Sequence, residues 1–201
     1  AGRRVEALKM QQELLPILRK VNGPEDEDTL NGMTNLAVSL FEEGREEEAL
    51  RLREEVLKLH RSVSGPKHPH TISAMNNLAL SLSEAGRPVE ALKLTEETLL
   101  LSRNVLGPEH GNTIGTMHNL ANAYSDAGRR EEALTLREEV LGLRRRFNGL
   151  EHPDTLKAMS TLASSYAETA RRNESVKLRE EVLPLFRKVL GPEHPYTLVA
   201  M

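Results

Sequence analysis

The chain contains no cysteine and no tryptophan, and aromatic residues make up only 3% of its 201 positions. Without thiols there can be no disulfide, no thiolate metal ligand and no cysteine nucleophile. With so few large rings, one thick core is not expected; a composition rich in Leu, Ala, Glu and Arg suits many small helix–helix contacts instead. Basic residues (27) do not outnumber acidic ones (30), and a net charge of −3 gives no global field to hold nucleic acid or an anionic membrane. No apolar run approaches the ~20 residues that span a bilayer, and no signal segment opens the chain. A cytoplasmic location is the expectation. The chain starts inside a repeating unit and without an initiator methionine, as an excised fragment would.

What the sequence has in abundance is repetition, the feature to test first. Gly23, Gly65, Gly107, Gly149 and Gly191 each follow the last by 42 residues. Thr29, Thr71, Thr113, Thr155 and Thr197 keep the same register, as do Met33, Met75, Met117, Met159 and Met201. A second column reads Gly2, Gly44, Gly86, Gly128 and then Ala170. No insertion interrupts the register.

Between these marks lie two helical patterns. Leu30, Met33, Leu36, Ala37 and Leu40 recur at spacings of three and four, which is one helix face; Ala49, Leu52, Val56, Leu59 and Val63 form a second. Gly44 suits the left-handed position that ends a helix, and Pro69, Pro153 and Pro195 suit the first turn of the next. The unit is therefore helix A, tight turn, helix B, short joint. One pair cannot bury its own apolar faces, but stacked pairs can. The expected fold is all-α, a right-handed superhelical solenoid of stacked antiparallel helix pairs. It forms one array over 1–201: an orphan helix B at 3–21, full repeats at 23–64, 65–106, 107–148 and 149–190, and a partial repeat at 191–201. Two departures stand out. Ala170 replaces a glycine where φ > 0 is costly, so a reshaped turn is expected at Ala170–Asn173. Pro16 and Pro184 fall inside helix B patterns, where a kink is expected.

Leu78-Ala79, Leu82, Gly86, Ala91 and Leu99 resemble the small/large signature of the tetratricopeptide repeat, with Tyr124 and Tyr166 in its tyrosine position. The common repeat of that family has ~34 residues. The 42-residue form, with its "NNLA" and "GPEHPDTL"-like strings, is similar to the arrays of kinesin light chains and of NB-ARC-type signalling NTPases. The resemblance implies a non-enzymatic scaffold that binds a protein or peptide in a concave groove lined by helix A. Carried over by position, the groove residues are Asn31, Asn35, Asn76, Asn77, His118, Asn119, Asn122, Lys157 and Thr161. An asparagine at these positions either bonds the backbone of a bound peptide or bonds a neighbouring helix, and both readings stay open. The alternatives are the ligand-sensing array of a larger NB-ARC-type NTPase and a module that self-associates head to tail.

Other constellations point away from chemistry. His68, His110, His152 and His194 form a column, but metal ligands must converge within ~2 Å of one ion and packed helix axes lie ~8–10 Å apart. They are read as polar residues capping helix A. No catalytic residue, cofactor or metal site is expected, and neither nucleic acid nor membrane is an expected partner. Glu42, Glu84, Asp126 and Glu168 oppose the dipole at the end of helix A. Arg45, Arg87, Arg129 and Arg171, three residues on, are their expected partners. Apart from Lys157 the groove is expected to lack cations.

Overall fold

The computed structural model describes residues 2–199; Met201, the fifth of the methionine column, lies outside them. Among the described residues ten α-helices follow in order: α1 (Gly2–Val21), α2 (Glu27–Glu42), α3 (Glu46–Val63), α4 (Pro69–Glu84), α5 (Pro88–Val105), α6 (Gly111–Asp126), α7 (Arg130–Asn148), α8 (Pro153–Glu168), α9 (Arg172–Val189) and α10 (Pro195–Val199). The same residues contain no strand. Helices α2, α4, α6 and α8 are the A helices, and α3, α5, α7 and α9 the B helices.

The chain divides into two compact units, Ala1–Pro108 and Glu109–Met201. Within the first, each of α1 to α5 packs on the next; within the second, the same holds from α6 to α10. The first core gathers Leu36, Leu40, Leu50, Leu57, Met75, Leu78 and Leu82. The second gathers Leu134, Leu141, Leu156, Met159, Leu162, Val182 and Phe186. Met33, Met75, Met117 and Met159 are each 0% exposed, and burying a side chain of that size contributes roughly 1.5–3 kcal/mol. Among the described buried residues of the two cores Phe186 is the one ring, the others being Met, Leu, Val and Ala.

Each A helix ends in the same turn. Gly44, Gly86 and Gly128 have φ of 76°, 73° and 76°. The next residue's N–H reaches back to the carbonyl five residues earlier, as from Arg45 to Leu40 at 2.9 Å and from Arg129 to Tyr124 at 2.8 Å. This is the Schellman arrangement, which satisfies carbonyls left open at the helix end. The turn at Ala170 is not reshaped: Ala170 itself takes φ 59°, Arg171 N–H donates to Tyr166 at 2.8 Å, and α9 begins in register. The bonds on either side hold alanine in the left-handed region. The closing bond from Ala170 N–H to Ala167 is 3.4 Å, against 3.0, 3.2 and 3.0 Å at Gly44, Gly86 and Gly128.

The prolines do not interrupt their helices. Helix α1 runs past Pro16 and α9 past Pro184. Both rings are exposed.

Candidate functional site

The B-to-A joints share a plan but not every bond. The joint glycine takes positive φ and the threonine column is buried; Thr71 Oγ1 and Thr197 Oγ1 each donate to the carbonyl of the joint glycine at 2.7 Å, whereas Thr155 Oγ1 donates to the Arg144 carbonyl at 3.3 Å and the hydroxyls of Thr29 and Thr113 have no partner among the described residues. The histidine column sits at the N-cap. Nδ1 of His68, His110 and His152 accepts from the N–H of His70, Asn112 and Asp154 at 3.2, 3.1 and 3.1 Å. His194 Nδ1 accepts from Tyr196 N–H at 3.2 Å, and Asp26 does the same for α2, accepting from Asp28 N–H at 3.0 Å. The histidines are caps, each in its own helix. Among the described residues no three His, Asp or Glu side chains are placed to hold a metal ion.

Opposite the core, each A helix leaves one stripe outside. In α2 it runs Asn31, Asn35, Val38, Glu42, with Asn31, Asn35 and Val38 exposed; in α4 it runs Asn77, Leu80, Glu84; in α8, Lys157, Ser164, Glu168. Asn35 and Asn77 are exposed on this stripe, and neither amide has a hydrogen-bond partner within the chain among the described residues. Asn76, one position round the helix, is half-buried.

In the second unit the candidates gather more closely. Asn122 Oδ1 accepts from Arg137 Nη2 at 3.2 Å, and its Nδ2 lies 3.3 Å from Nε2 of His118. His118 and Lys157 line one cleft of about 170 Å³ with Val140, Arg144, Asp154 and Ala158. Arg144 Nη1 is 3.3 Å from Asp154 Oδ2. Loss of water around the ring, then the positive charges of Arg137 and Arg144, push the pKa of His118 below its ordinary value. Lys157 Nζ stands 5.6 Å above the Tyr196 ring and has no carboxylate partner among the described residues. Thr161 and Asn119 are half-buried, and the Thr161 carbonyl accepts from Ser165 Oγ at 3.1 Å.

Two expectations are corrected. Arg45, Arg87, Arg129 and Arg171 do not turn back to the acids that end helix A. They pair forward with Glu48, Glu90, Glu132 and Glu174 in the first turn of helix B; Arg45 and Arg87 each make two bonds at 2.7 Å. A guanidinium at the N-cap meets a carboxylate three residues on, where the helix dipole also favours the acid. These hydrogen bonds lower the pKa of Glu48, Glu90, Glu132 and Glu174. The stripe, second, is not poor in cations. Arg53 donates to the backbone carbonyl of Asn77 on the following A helix. Arg137 donates both to Asn122 on α6 and to Ser165 on α8. Burial lowers the pKa of Arg53 and Arg137, against the pull of Glu84 for the first and of Glu168 and Asp126 for the second. So the acids that end helix A face arginines from helix B.

Sequence reasoning missed Arg53, Arg137, Arg144 and Asp154. The first two sit in "LREE" strings and the third in the run Arg144-Arg145-Arg146, where spacing alone singles out none of them. The position of Arg144 is Leu18, His60, Ser102 and Phe186 in other units, and that of Asp154 is Asp28, His70, Asn112 and Tyr196, so an aspartate stands opposite a leucine in one joint and an arginine in another and the columns alone do not mark the contact.

A search of curated proteins finds no significant match. Among solved structures, a glutamine-to-methionine variant of a putative kinesin light chain from Podosopora anserina, with nearly identical TPR-like repeats, is 27% identical, with a TM-score of 0.81 over 94% of this chain and 89% of that one. A second structure of that putative kinesin light chain gives 27% and 0.79 over 93% and 89%. BtubC (BKLC) from P. vanneervenii, at 18% identity, shares the fold with a TM-score of 0.81 over 96% of this chain and 77% of that one. Proteins built this way serve in general as non-enzymatic interaction scaffolds. No helix among the described residues is long and apolar enough to cross a membrane. Tetratricopeptide-repeat models match residues 1–59, 28–99, 74–146, 113–175 and 155–196, so with its paired helices, its Schellman turns and its methionine-centred cores the chain belongs to the tetratricopeptide-repeat family.

Proposed function

We propose that the chain is a peptide- or protein-binding scaffold that holds its ligand on the outward stripes of the A helices. The observation that carries this reading is the cleft in the second unit. His118, Arg144 and Lys157 line it together with a single carboxylate, Asp154. Arg144 is already matched by Asp154, which leaves the Lys157 ammonium for a ligand's negative group. A ligand carboxylate entering the cleft would gain a charge-assisted hydrogen bond, about twice as strong as a neutral one. Exposed Asn35 and Asn77 add donors and acceptors suited to an extended peptide backbone. The ligand this favours is an extended segment with an acidic side chain placed against α8.

The test is a peptide-array screen comparing the wild-type chain with Asn77→Ala plus Asn119→Ala, and separately with Lys157→Glu. Ligands that bind the wild type should be weakened at least several-fold by the asparagine pair, and acidic ligands most of all by Lys157→Glu. Equal binding by all three forms would move the site off the stripes.

A further inference from the structure

We propose that the histidine that opens helix A is a proton-operated cap: it closes the first turn of α4, α6 and α8 at neutral pH and releases it on mild acidification. The geometry that requires this is the identity of the acceptor atom. In all three helices, and again at His194, the atom facing the backbone N–H is Nδ1. Neutral imidazole can accept there only if its hydrogen is on Nε2. Imidazolium carries hydrogen on both nitrogens, so it would aim an N–H at an N–H and place positive charge at the positive end of a helix. Mild acidification is where histidine gains charge.

The chain carries its own control. Helix α2 opens on Asp26, whose carboxylate Oδ1 accepts from Asp28 N–H at 3.0 Å and from Asn22 Nδ2 at 3.2 Å. A carboxylate cap keeps its lone pairs through the range in which a histidine cap loses one. Four joints therefore carry a histidine cap, whereas the first does not.

The caps differ in what stands around them. His68 faces the His70 ring at 5.0 Å, and His70 faces His60 of α3 at 5.8 Å. Glu27 of α2 is the one acid acting on His60, so added protons crowd three rings into this joint. At the next cap, the residue before His110 is Glu109, which is paired with Arg146 of α7 at 2.8 Å. His152 has the Asp154 carboxylate 4.0 Å away, with Arg144 of α7 drawing on the same carboxylate, and Asn148 Nδ2 3.4 Å from its ring. His194 lies 5.5 Å from the Tyr196 ring.

The experiment is residue-resolved amide hydrogen exchange on the whole 201-residue chain near pH 7.5 and near pH 5.5, corrected for intrinsic rates. It compares the wild type with His68→Asp, His110→Asp, His152→Asp combined and with the same three positions changed to Asn. In the wild type, protection at residues 70–72 and 112–114 should fall roughly fivefold on acidification, the equivalent of losing one cap, while 28–30 hold. Both variants should keep their protection. Equal losses at 28–30 and 70–72, or losses in the variants matching those of the wild type, would overturn the proposal. A second reading needs no variant: the ¹⁵N shifts of the imidazoles at neutral pH must show hydrogen on Nε2. Hydrogen on Nδ1 would end the idea outright. Ligand binding plays no part in any of these readouts, so they stand apart from the scaffold reading.

Discussion

Arg144 on α7 and Asp154 on α8 meet at 3.3 Å, at the two columns where His60 faces His70 in the first unit and Phe186 stacks on Tyr196 at 6.0 Å with planes 12° apart. One geometric slot, a residue near the end of helix B against the second residue of the next helix A, is filled by an ion pair, by two imidazoles or by two rings. The backbone repeats, and the chemistry in the slot does not. The slots should therefore differ sharply in what they contribute. Phe186 is 0% exposed, and Phe186→Ala should cost roughly 3–5 kcal/mol. The Arg144–Asp154 pair is 25% and 45% exposed, so Asp154→Ala should cost under about 1 kcal/mol after solvent screening. Urea unfolding midpoints of the two variants measure the contrast, and similar losses would refute it.

Ala170 stands at φ 59° where three other turns have glycine. Holding a residue with a Cβ in the left-handed region costs about 1–2 kcal/mol, and glycine returns part of that through its greater freedom in the unfolded chain. Ala170→Gly should stabilise the second unit by about 0.5–1 kcal/mol. Gly128→Ala, where a Cβ meets nothing within 4 Å, should destabilise by a similar amount through φ alone. Thermal midpoints of the two single variants, moving in opposite directions, check both.

The period of 42, the two faces of each unit and the turn at Gly44 were legible from residue spacing, because packing in a repeat is local and each column meets the same neighbours every time. The histidine caps were legible too, as a polar column at a helix start. What spacing could not show was where long side chains go. Arg53 and Arg137 stand among other charged residues of helix B, yet an arginine reaches several ångströms beyond its own helix and finds the next one. Arg45 had acids on both sides, at Glu42 and at Glu48, and only the folded chain shows that it turns forward. The cleft at His118 and Lys157 joins residues from three helices, and no single-helix pattern encodes it.

His60 should make the stability of the first unit depend on pH. Its pKa is held below the ordinary value of 6.5, by burial first, then by the charges of His70 and His68, with Glu27 opposing. The folded state thus prefers the neutral ring. The stabilisation is fully present above about pH 6.5 and is lost as pH falls through the lowered folded value. In the first joint the same column holds Leu18, partly buried against α2, so His60→Leu is a substitution the fold already accommodates once. This variant should show a flatter profile of urea midpoint between about pH 7 and pH 5 than the wild type. An unchanged slope would mean that His60 is not among the groups responsible.

Arg137 joins α6 to α8 by donating to Asn122 Oδ1 at 3.2 Å and to the Ser165 hydroxyl. Its guanidinium is half-buried and its pKa is lowered by that burial, so the two bonds replace water it has given up. Removing it leaves Asn122 with only its contact to His118 and takes away one of the two positive charges that act on His118. Arg137→Ala should therefore cost roughly 1–3 kcal/mol and let the pKa of His118 rise, because one of its two cationic neighbours is gone. Arg137→Lys restores the charge but not the fork: one ammonium on a flexible stem cannot reproduce two planar N–H directions. The lysine variant should thus keep the pKa of His118 low while recovering less than half of the lost stability. Titrating the His118 ring by NMR, beside urea unfolding of the same three proteins, separates the two roles. If lysine restored the stability in full, charge alone would hold α6 to α8, and the paired geometry of Arg137 would have no part in it.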